Sequence, residues 1–149
     1  MRHCFSSPIG VVRLTEADGF IIRIELTDAA DAPAMPTPLL HEAEQQIMAY
    51  LEGKRKQLDF PIHMVGTPFQ QRVWRALQQI PYGTTCTYGE IATAIGNPRA
   101  SRAVGIGCNR NPLLLIIPCH RVIGAGGKLT SFAYGTGAKR WLLELESCI

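Results

Sequence analysis

Cys119, His120 and Arg121 stand side by side behind a proline, in the run Leu115-Ile116-Ile117-Pro118-Cys119-His120-Arg121-Val122-Ile123. A thiol is a strong nucleophile only as its thiolate, a state it reaches with help from a nearby base or a positive field. Cysteine followed by histidine offers nucleophile and base together, and Pro118 stiffens the backbone just before the thiol. Most free cysteines are inert small hydrophobes of a core. Chemistry is favoured here by the polar block that arrives where an apolar, strand-like stretch would be expected to carry on apolar. Neighbours on a strand point to opposite faces, so a proton relay between Cys119 and His120 needs a turn or a bridging water.

Composition narrows the setting. A chain of 149 residues makes one to two small domains. A hydrophobic share of 46% and a charged share of 18% suit an ordinary globular protein. The formal net charge of +3 permits a polyanionic partner without demanding one. Five cysteines, Cys4, Cys86, Cys108, Cys119 and Cys148, show neither a CxxC pair nor clustered Cys/His spacing. Neither a zinc site nor a disulfide framework is therefore indicated, and reduced thiols are expected. No apolar stretch approaches signal or transmembrane length, which points to a soluble protein of the cytoplasm or nucleus with no membrane partner.

The elements that must hold the reactive run follow from the punctuation of the chain. Gly10 to Thr15 and Phe20 to Leu26 are β-rich and flank Asp18-Gly19, a hairpin dipeptide. Asp28 to Pro38, rich in Ala, Asp and Pro, reads as a loop. Leu39 to Leu51 carries Leu40, Ala43, Ile47 and Leu51 at helical spacing and closes at Gly53. Residues 1–64 are expected to form a small α+β unit and residues 65–149 a second one. In the second, Thr67 and Pro68 open a helix whose buried stripe is Phe69, Val73, Trp74, Leu77 and Ile80, before Pro81-Tyr82-Gly83 ends it. Thr87 caps a helix from Tyr88 to Ile95 that stops at Gly96, and a third helix fits Arg99 to about Cys108. Two short helices joined by a tight turn form the helix-turn-helix pattern, whose second helix faces DNA. Small residues Ala100, Ser101, Ala103 and Gly105 allow close approach to a duplex, and Arg99 and Arg102 supply cations for phosphate or groove contact. A DNA-facing helix beside a reactive thiol points to chemistry on DNA.

Seven motifs occur in order: Thr67-Pro68-Phe69-Gln70, Val73-Trp74, Ile80-Pro81-Tyr82-Gly83, Thr87-Tyr88-Gly89-Glu90-Ile91-Ala92, Ala100-Ser101-Arg102-Ala103-Val104-Gly105, Asn111-Pro112 and Ile117-Pro118-Cys119-His120-Arg121-Val122. Together they resemble the O6-alkylguanine-DNA alkyltransferases, also called methylated-DNA-protein-cysteine methyltransferases. The resemblance runs from Thr67 to Glu146 and is looser over residues 1–64, where it rests on Ser7-Pro8-Ile9-Gly10 and on a strand-then-helix order. It implies an α+β protein: a small N-terminal antiparallel sheet plus helix of ribonuclease-H-like kind, then a winged-helix-like helix-turn-helix domain. It also implies DNA repair by direct damage reversal, with no cofactor and no metal. The partner would be double-stranded DNA containing alkylated guanine, bound through the minor groove by a monomer.

By that resemblance Cys119 takes the alkyl group from O6 of guanine, and also from O4 of thymine, and keeps it as a thioether, so that the protein acts once. His120 accepts the thiol proton through a bridging water and Glu146 orients the imidazole. Tyr88 protonates or hydrogen-bonds the leaving guanine, and Asn111 braces the turn behind the nucleophile. The target atom is unreachable in a stacked duplex, so the nucleotide is flipped out and Arg102 fills its place. Arg99, Ala103 and Thr87 join Arg102 at the DNA interface. Backbone carbonyls of Cys119 and Val122 recognise the base, and Val122, Ala133 and Tyr134 line the alkyl pocket. The chain departs from the family in the glycine-rich loop after the active site, where Thr130-Ser131-Phe132-Ala133-Tyr134-Gly135 replaces a Gly-Tyr-Ala-Gly-Gly pattern and Tyr134 is expected to narrow the pocket. Cys108 reads as a small core residue at the pocket wall. Lys139 occupies a position that is usually lysine in the family, with no role assigned to it.

Three other readings compete. A non-catalytic alkylated-DNA-binding protein would keep Arg102 but needs no thiol. A winged-helix transcription regulator leaves Pro118 to Val122 unexplained. A cysteine protease needs a distant histidine, and His3, His41 and His63 have no motif context.

Overall fold

Asp18 and Gly19 take φ of 53° and 83°, the left-handed pair that turns one strand back on the next with the right twist. They join β2 (Gly10–Ala17) to β3 (Phe20–Thr27). The structure is a computed structural model that describes residues 1–29, 35–129 and 132–147. An additional strand, β1 (Arg2–Ser7), pairs antiparallel with β2, so the sheet order is β1-β2-β3. The sequence reading named only two β segments here. No residue of β1 is fully buried, so its inside–outside contrast is too shallow to register as alternation.

Helix α1 (Pro38–Leu51) packs on this sheet. It starts one residue before the expected Leu39, because Thr37 caps it through the Leu40 amide and Pro38 sits in the first turn. Leu40, Ala43, Ile47 and Leu51 are buried against Val12, Leu14, Ile21 and Ile24, the inward residues of β2 and β3. The buried amide of Gln46 brackets Asp59, donating to its carbonyl at 2.9 Å and accepting from its N–H at 2.7 Å. That pair draws the return segment back, and Ile62 then forms a parallel bridge with Ile21. These residues make one compact unit, Met1–Val65, and Gly66–Ile149 makes the other. Ala30 to Ala34, within the expected loop, lie outside the described residues.

The second unit opens with two helices started by the same device. In α2 (Pro68–Leu77) the Thr67 hydroxyl accepts from the Gln70 amide and the Gln70 side chain accepts from the Thr67 N–H. In α3 (Tyr88–Ala94) Thr87 and Glu90 do the same. Helix α3 ends in a glycine-based cap: Gly96, at φ 80°, donates to Thr93, and Asn97 donates to Ala92. The next helix, α4 (Ser101–Asn109), starts two residues later than Arg99. Asn97 and Pro98 favour a β-turn, closed by the Ala100 N–H on the Asn97 carbonyl, and Arg99 falls in that turn rather than in the helix. Phe69 is half-buried rather than part of the buried stripe, with Arg72 over its ring at 5.6 Å. Trp74 is 1% exposed and its indole donates to the Gly107 carbonyl at 3.1 Å, fixing α4 against α2.

The apolar stretch before Pro118 is not a strand. Leu115 takes φ of 75°, Ile117 donates back to the Leu113 carbonyl, and Leu114 bridges Ile117. Leu113, Leu114, Leu115 and Ile117 are buried by a tight turn that a periodicity argument cannot tell from a buried strand. Beyond it a 3-10 turn (Cys119–Arg121) leads into β5 (Val122–Ile123), which pairs parallel with β4 (Cys86–Thr87), and α5 (Thr136–Leu145) follows. No described helix is long and apolar enough to cross a membrane.

Gly66 marks the tightest backbone approach in this unit. A Cβ there would lie 2.5 Å from two atoms of the Trp74 ring, whose position is set by its bond to Gly107. Gly66→Ala is expected to destabilise the protein by about 1–3 kcal/mol, read as a shift in a urea unfolding curve. An unchanged midpoint would mean that the ring has room to move.

Candidate functional site

Three buried ionisable side chains meet where the 3-10 turn packs against the C-terminal end of α5. Glu146, 3% exposed, accepts from His120 Nε2 on Oε2 at 2.7 Å and from Arg121 Nε on Oε1 at 2.7 Å. Arg121 adds a second donor, Nη2, to Oε2 at 3.2 Å, and sends Nη1 to the Ile80 carbonyl at 2.7 Å. Its guanidinium also lies 5.6 Å from the Tyr82 ring, so both partners at the Pro81-Tyr82-Gly83 corner are fixed by one side chain. A carboxylate gripped by two guanidinium N–H groups stays ionised and can only accept. The His120 proton therefore sits on Nε2, facing Glu146, and Nδ1 keeps a free lone pair.

Nδ1 is the sole buried side-chain polar atom among the described residues with no hydrogen-bond partner. Burial holds the imidazole below its ordinary pKa of 6.5, and the charges of Arg121 and Lys139 push the same way, against the pull of Glu146. His120 is neutral at physiological pH, with its basic nitrogen unoccupied. The histidine and cysteine sit on a 3-10 turn, so the opposite-face problem of a strand does not arise.

The thiol itself is 4% exposed, and burial pushes it up to about 11. Against burial act the Asn111 amide, then the ammonium of Lys139. Asn111 donates from Nδ2 to Cys119 Sγ at 3.1 Å and to the Ile117 carbonyl at 2.7 Å, while its Oδ1 accepts from the Leu113 amide at 2.8 Å. One side chain thus spans the tight turn and touches the sulfur. Pro118, at φ −81° and ψ 62°, centres an inverse γ-turn closed by the Cys119 amide on the Ile117 carbonyl at 2.8 Å. Cys108 is buried and its thiol is pushed up to about 12, chiefly by burial and then by Cys119. It lies within electrostatic reach of Cys119 and Lys139.

The remaining expected residues divide into three groups. Tyr88, half-buried at the start of α3, packs near Gly105 of α4, where a Cβ would come within 3.8 Å of its ring. Arg102 is exposed on α4, Ala103 is half-buried beside it, Arg99 is exposed in the preceding turn, and the Thr87 hydroxyl serves as the α3 cap. Val122 is fully buried and its carbonyl accepts from Lys139 Nζ. Ala133 is exposed and Tyr134 half-buried, in a turn closed by the Gly135 amide on the Phe132 carbonyl. Tyr134 meets the Phe132 ring edge-on at 5.8 Å, whereas Thr130 and Ser131 of the same loop lie outside the described residues. The sequence reading left Arg121 and Lys139 without roles. The polar Cys-His-Arg block inside apolar sequence was the signal for the first, and nothing local marked the second.

Such an arrangement can carry out nucleophilic substitution. It holds a thiol under an amide donor, beside a neutral imidazole whose far nitrogen is anchored on an ionised carboxylate, and it holds no group of three or more His, Cys, Asp or Glu among the described residues that could bind a metal.

Comparison with known proteins gives a consistent set of relatives. Residues 68–148 match the family model of the 6-O-methylguanine DNA methyltransferase DNA-binding domain. A methylated-DNA--protein-cysteine methyltransferase of Methanosarcina acetivorans is 48% identical over 97% of each chain. The crystal structure of Mycobacterium tuberculosis OGT in complex with DNA superposes with a TM-score of 0.88 at 44% identity, covering 97% of this chain and 91% of that one. An O6-methylguanine DNA methyltransferase from Methanococcus jannaschii superposes at 0.71 with 26% identity, over 97% and 92%.

Removing one partner of the buried cluster leaves the other charge uncompensated. Arg121→Met is expected to cost about 3–5 kcal/mol in chemical unfolding, several times the loss from removing an exposed ion pair such as Lys54–Glu52. Equal losses from the two would remove the cluster's structural role.

Proposed function

This chain belongs to the methylated-DNA--protein-cysteine methyltransferases, and from that membership we propose how its buried thiol and its exposed helix divide the work of repair. The protein reverses alkylation damage in DNA directly, as a protein-cysteine methyltransferase. Cys119 receives the alkyl group from O6 of guanine, and by the same chemistry from O4 of thymine, and retains it as a thioether. Each molecule acts once.

The observation that carries this reading is the unpartnered Nδ1 of a neutral, fully buried His120 whose Nε2 is anchored on Glu146. A water between Nδ1 and the sulfur passes the thiol proton to the imidazole, which solves the activation of a thiol that burial alone holds protonated. Asn111 steadies the developing thiolate through its N–H on the sulfur. Tyr88 supplies the proton or hydrogen bond that lets guanine leave. The carbonyls of Cys119 and Val122 recognise the base; that of Val122 shares its lone pairs with Lys139 and keeps one for the ligand.

Helix α4 delivers the lesion. Its small residues and exposed Arg102 suit entry into the minor groove, with Arg102 filling the space of the flipped nucleotide and Arg99, Ala103 and Thr87 along the backbone. The pocket assignment draws support from the Phe132–Tyr134 edge contact, since two packed rings give the loop a bulk that a glycine-rich loop would not have. The ribonuclease-H-like and winged-helix-like assignments belong to the same proposal. They are supported by a three-stranded meander on one helix and by the α3–α4 pair with its short β4–β5 ladder. So do a monomeric state and a site of action in cytoplasm or nucleus. A non-catalytic lesion binder or a transcription regulator would have no use for a thiol held by Asn111 beside a base.

Mixing the protein with duplex DNA containing O6-methylguanine should add one methyl group, located on Cys119 by intact-mass and peptide mapping; folded protein that stays unmodified would sink the proposal. Cys119→Ala should bind the duplex and transfer nothing, and Arg102→Ala should weaken binding with the thiol intact. The pH profile follows from His120. Its base form is required and burial lowers its pKa, so the single-turnover rate should hold steady on acidification through neutrality and fall only below pH 6.5. A fall centred above that value would assign the proton to another group.

A further inference from the structure

Ile106 is the one large apolar side chain of the second unit that stands exposed among the described residues, at 53%. It lies one turn after Arg102 on α4, so both project from the same face of the helix. Beside it, between the start of α2 and α4, runs a cleft of about 190 Å³ lined by Thr67, Phe69, Gln70, Ala103, Ile106 and Gly107. Thr67 and Gln70 spend their oxygens on each other's N–H, and the other four lining residues carry no polar side-chain atom. The cleft is rigid. A Cβ at Gly107 would lie 3.4 Å from Val73, and the Gly107 carbonyl is tied to the Trp74 indole, so the two helices keep a fixed, close spacing. Ile106 itself is stiff, since a β-branched side chain in a helix has one favoured rotamer. The charge around the cleft has one sign: neither helix carries an Asp or Glu, Arg72 stands over the Phe69 ring at 5.6 Å, and Arg102 is exposed on α4. Its volume falls below the roughly 300–1,000 Å³ of a small-molecule site and suits one ring of a polymer rather than a free metabolite. An apolar slot with a cation on each flanking helix has the pattern of a nucleic-acid strand, a sugar between two phosphates. Both helices fall within residues 68–148, the span that matches a DNA-binding domain, and the slot continues the face of α4 that carries Arg102.

We infer that this cleft is a sugar subsite of the DNA interface, in which Ile106 and Phe69 select deoxyribose over ribose in a strand held at its phosphates by Arg72 and Arg102. The inference deepens the reading of α4 as the DNA-facing helix and rests on it. The distinction lies at one carbon. A deoxyribose presents a C2′ methylene to the apolar wall, and burying it is favourable. A ribose presents a hydroxyl at that carbon, which must leave water and finds no partner on Phe69, Ala103, Ile106 or Gly107. The 2′-hydroxyl is the group by which proteins tell RNA from DNA at a given site, whereas contacts to phosphate carry no such information. Affinity therefore comes from the arginines and the sugar preference from the slot between them. O6-alkylguanine is the same base in either polymer, so a pocket that reads the base alone does not separate them. A protein that acts once is spared consumption by alkylated RNA if the backbone is refused before the thiol is reached.

The experiment is a ribose scan. A duplex with one O6-methylguanine, which fixes the register, is made all-deoxy or with a single ribonucleotide at each position of either strand in turn. Binding is read by fluorescence anisotropy in the Cys119→Ala form, where no transfer intervenes, and methyl transfer is read separately in protein that keeps Cys119. With Ile106 intact, ribose at one site on one strand should raise Kd about tenfold, the cost of burying a hydroxyl without a partner. Ile106→Thr keeps the branched shape and offers that hydroxyl a partner, and Ile106→Ala opens the slot to water; both should reduce the penalty at that site to about twofold or less. The exposure of Ile106 lets the fold tolerate either change. Arg72→Ala should lower the slope of log affinity against log salt by about one phosphate contact. A scan with no sensitive site would overturn the inference, as would an equal penalty in the Ile106 variants or an unchanged salt slope in Arg72→Ala. Failure of unmutated protein to accept a methyl from the all-deoxy duplex would instead strike the alkyltransferase reading, while the scan, read by binding, still decides the subsite.

Discussion

The site depends on one carboxylate being kept charged in a place where water cannot reach it. Glu146 is held ionised by two N–H groups of Arg121, and that charge in turn fixes the tautomer of His120. Without Arg121 the carboxyl could protonate and donate, Nδ1 could carry the imidazole proton, and the base beside the thiol would vanish with no atom displaced. Arg121 is therefore the origin of the sequence of effects that ends at Cys119, although it does not touch the sulfur. The same guanidinium reaches Ile80 and Tyr82, so the protonation pattern and the packing of the α2 exit are fixed together.

A second constraint is geometric. The tight turn from Asn111 to Ile117 buries consecutive apolar side chains at the expense of a left-handed Leu115, a strain of order 1–3 kcal/mol that persists only because the surroundings determine it. Asn111 spans that turn with three hydrogen bonds, one of them to the sulfur. Strain, amide and thiol form one unit, and α4 ends two residues before it. The exposed helix and the buried nucleophile are thus neighbours along the chain as well as in space.

Much of this was legible in the sequence because it is written in local punctuation. Thr67-Pro68, Thr87, Gly96, and Asp18-Gly19 each specify a backbone geometry within four residues, and each was read correctly in type, whereas Glu90 as the reciprocal partner of Thr87 emerged only in the structure. Misreadings arose where a local signal had two solutions. Leu115 to Ile117 could be a buried strand or a buried turn, and Arg99 could open a helix or sit in the Asn97-Pro98 turn. Within the site, Cys119, His120 and Asn111 announced themselves by motif, whereas Lys139 did not, since a lysine in an amphipathic helix ordinarily faces water. Its burial is decided by the β5 carbonyl and the Tyr88 ring, both distant in sequence, and no window of residues contains them.

The spacing of these interactions also orders the birth of the protein. The two reciprocal caps at Thr67 and Thr87 close over three residues and can form as soon as their segments leave the ribosome. The bond between His120 and Glu146 spans 26 residues and waits for α5. A nascent chain therefore starts α2 and α3 well before His120 and Glu146 can meet. The carboxylate and the imidazole that the buried cluster joins are the last groups to meet, and the short caps of α2 and α3 are the first.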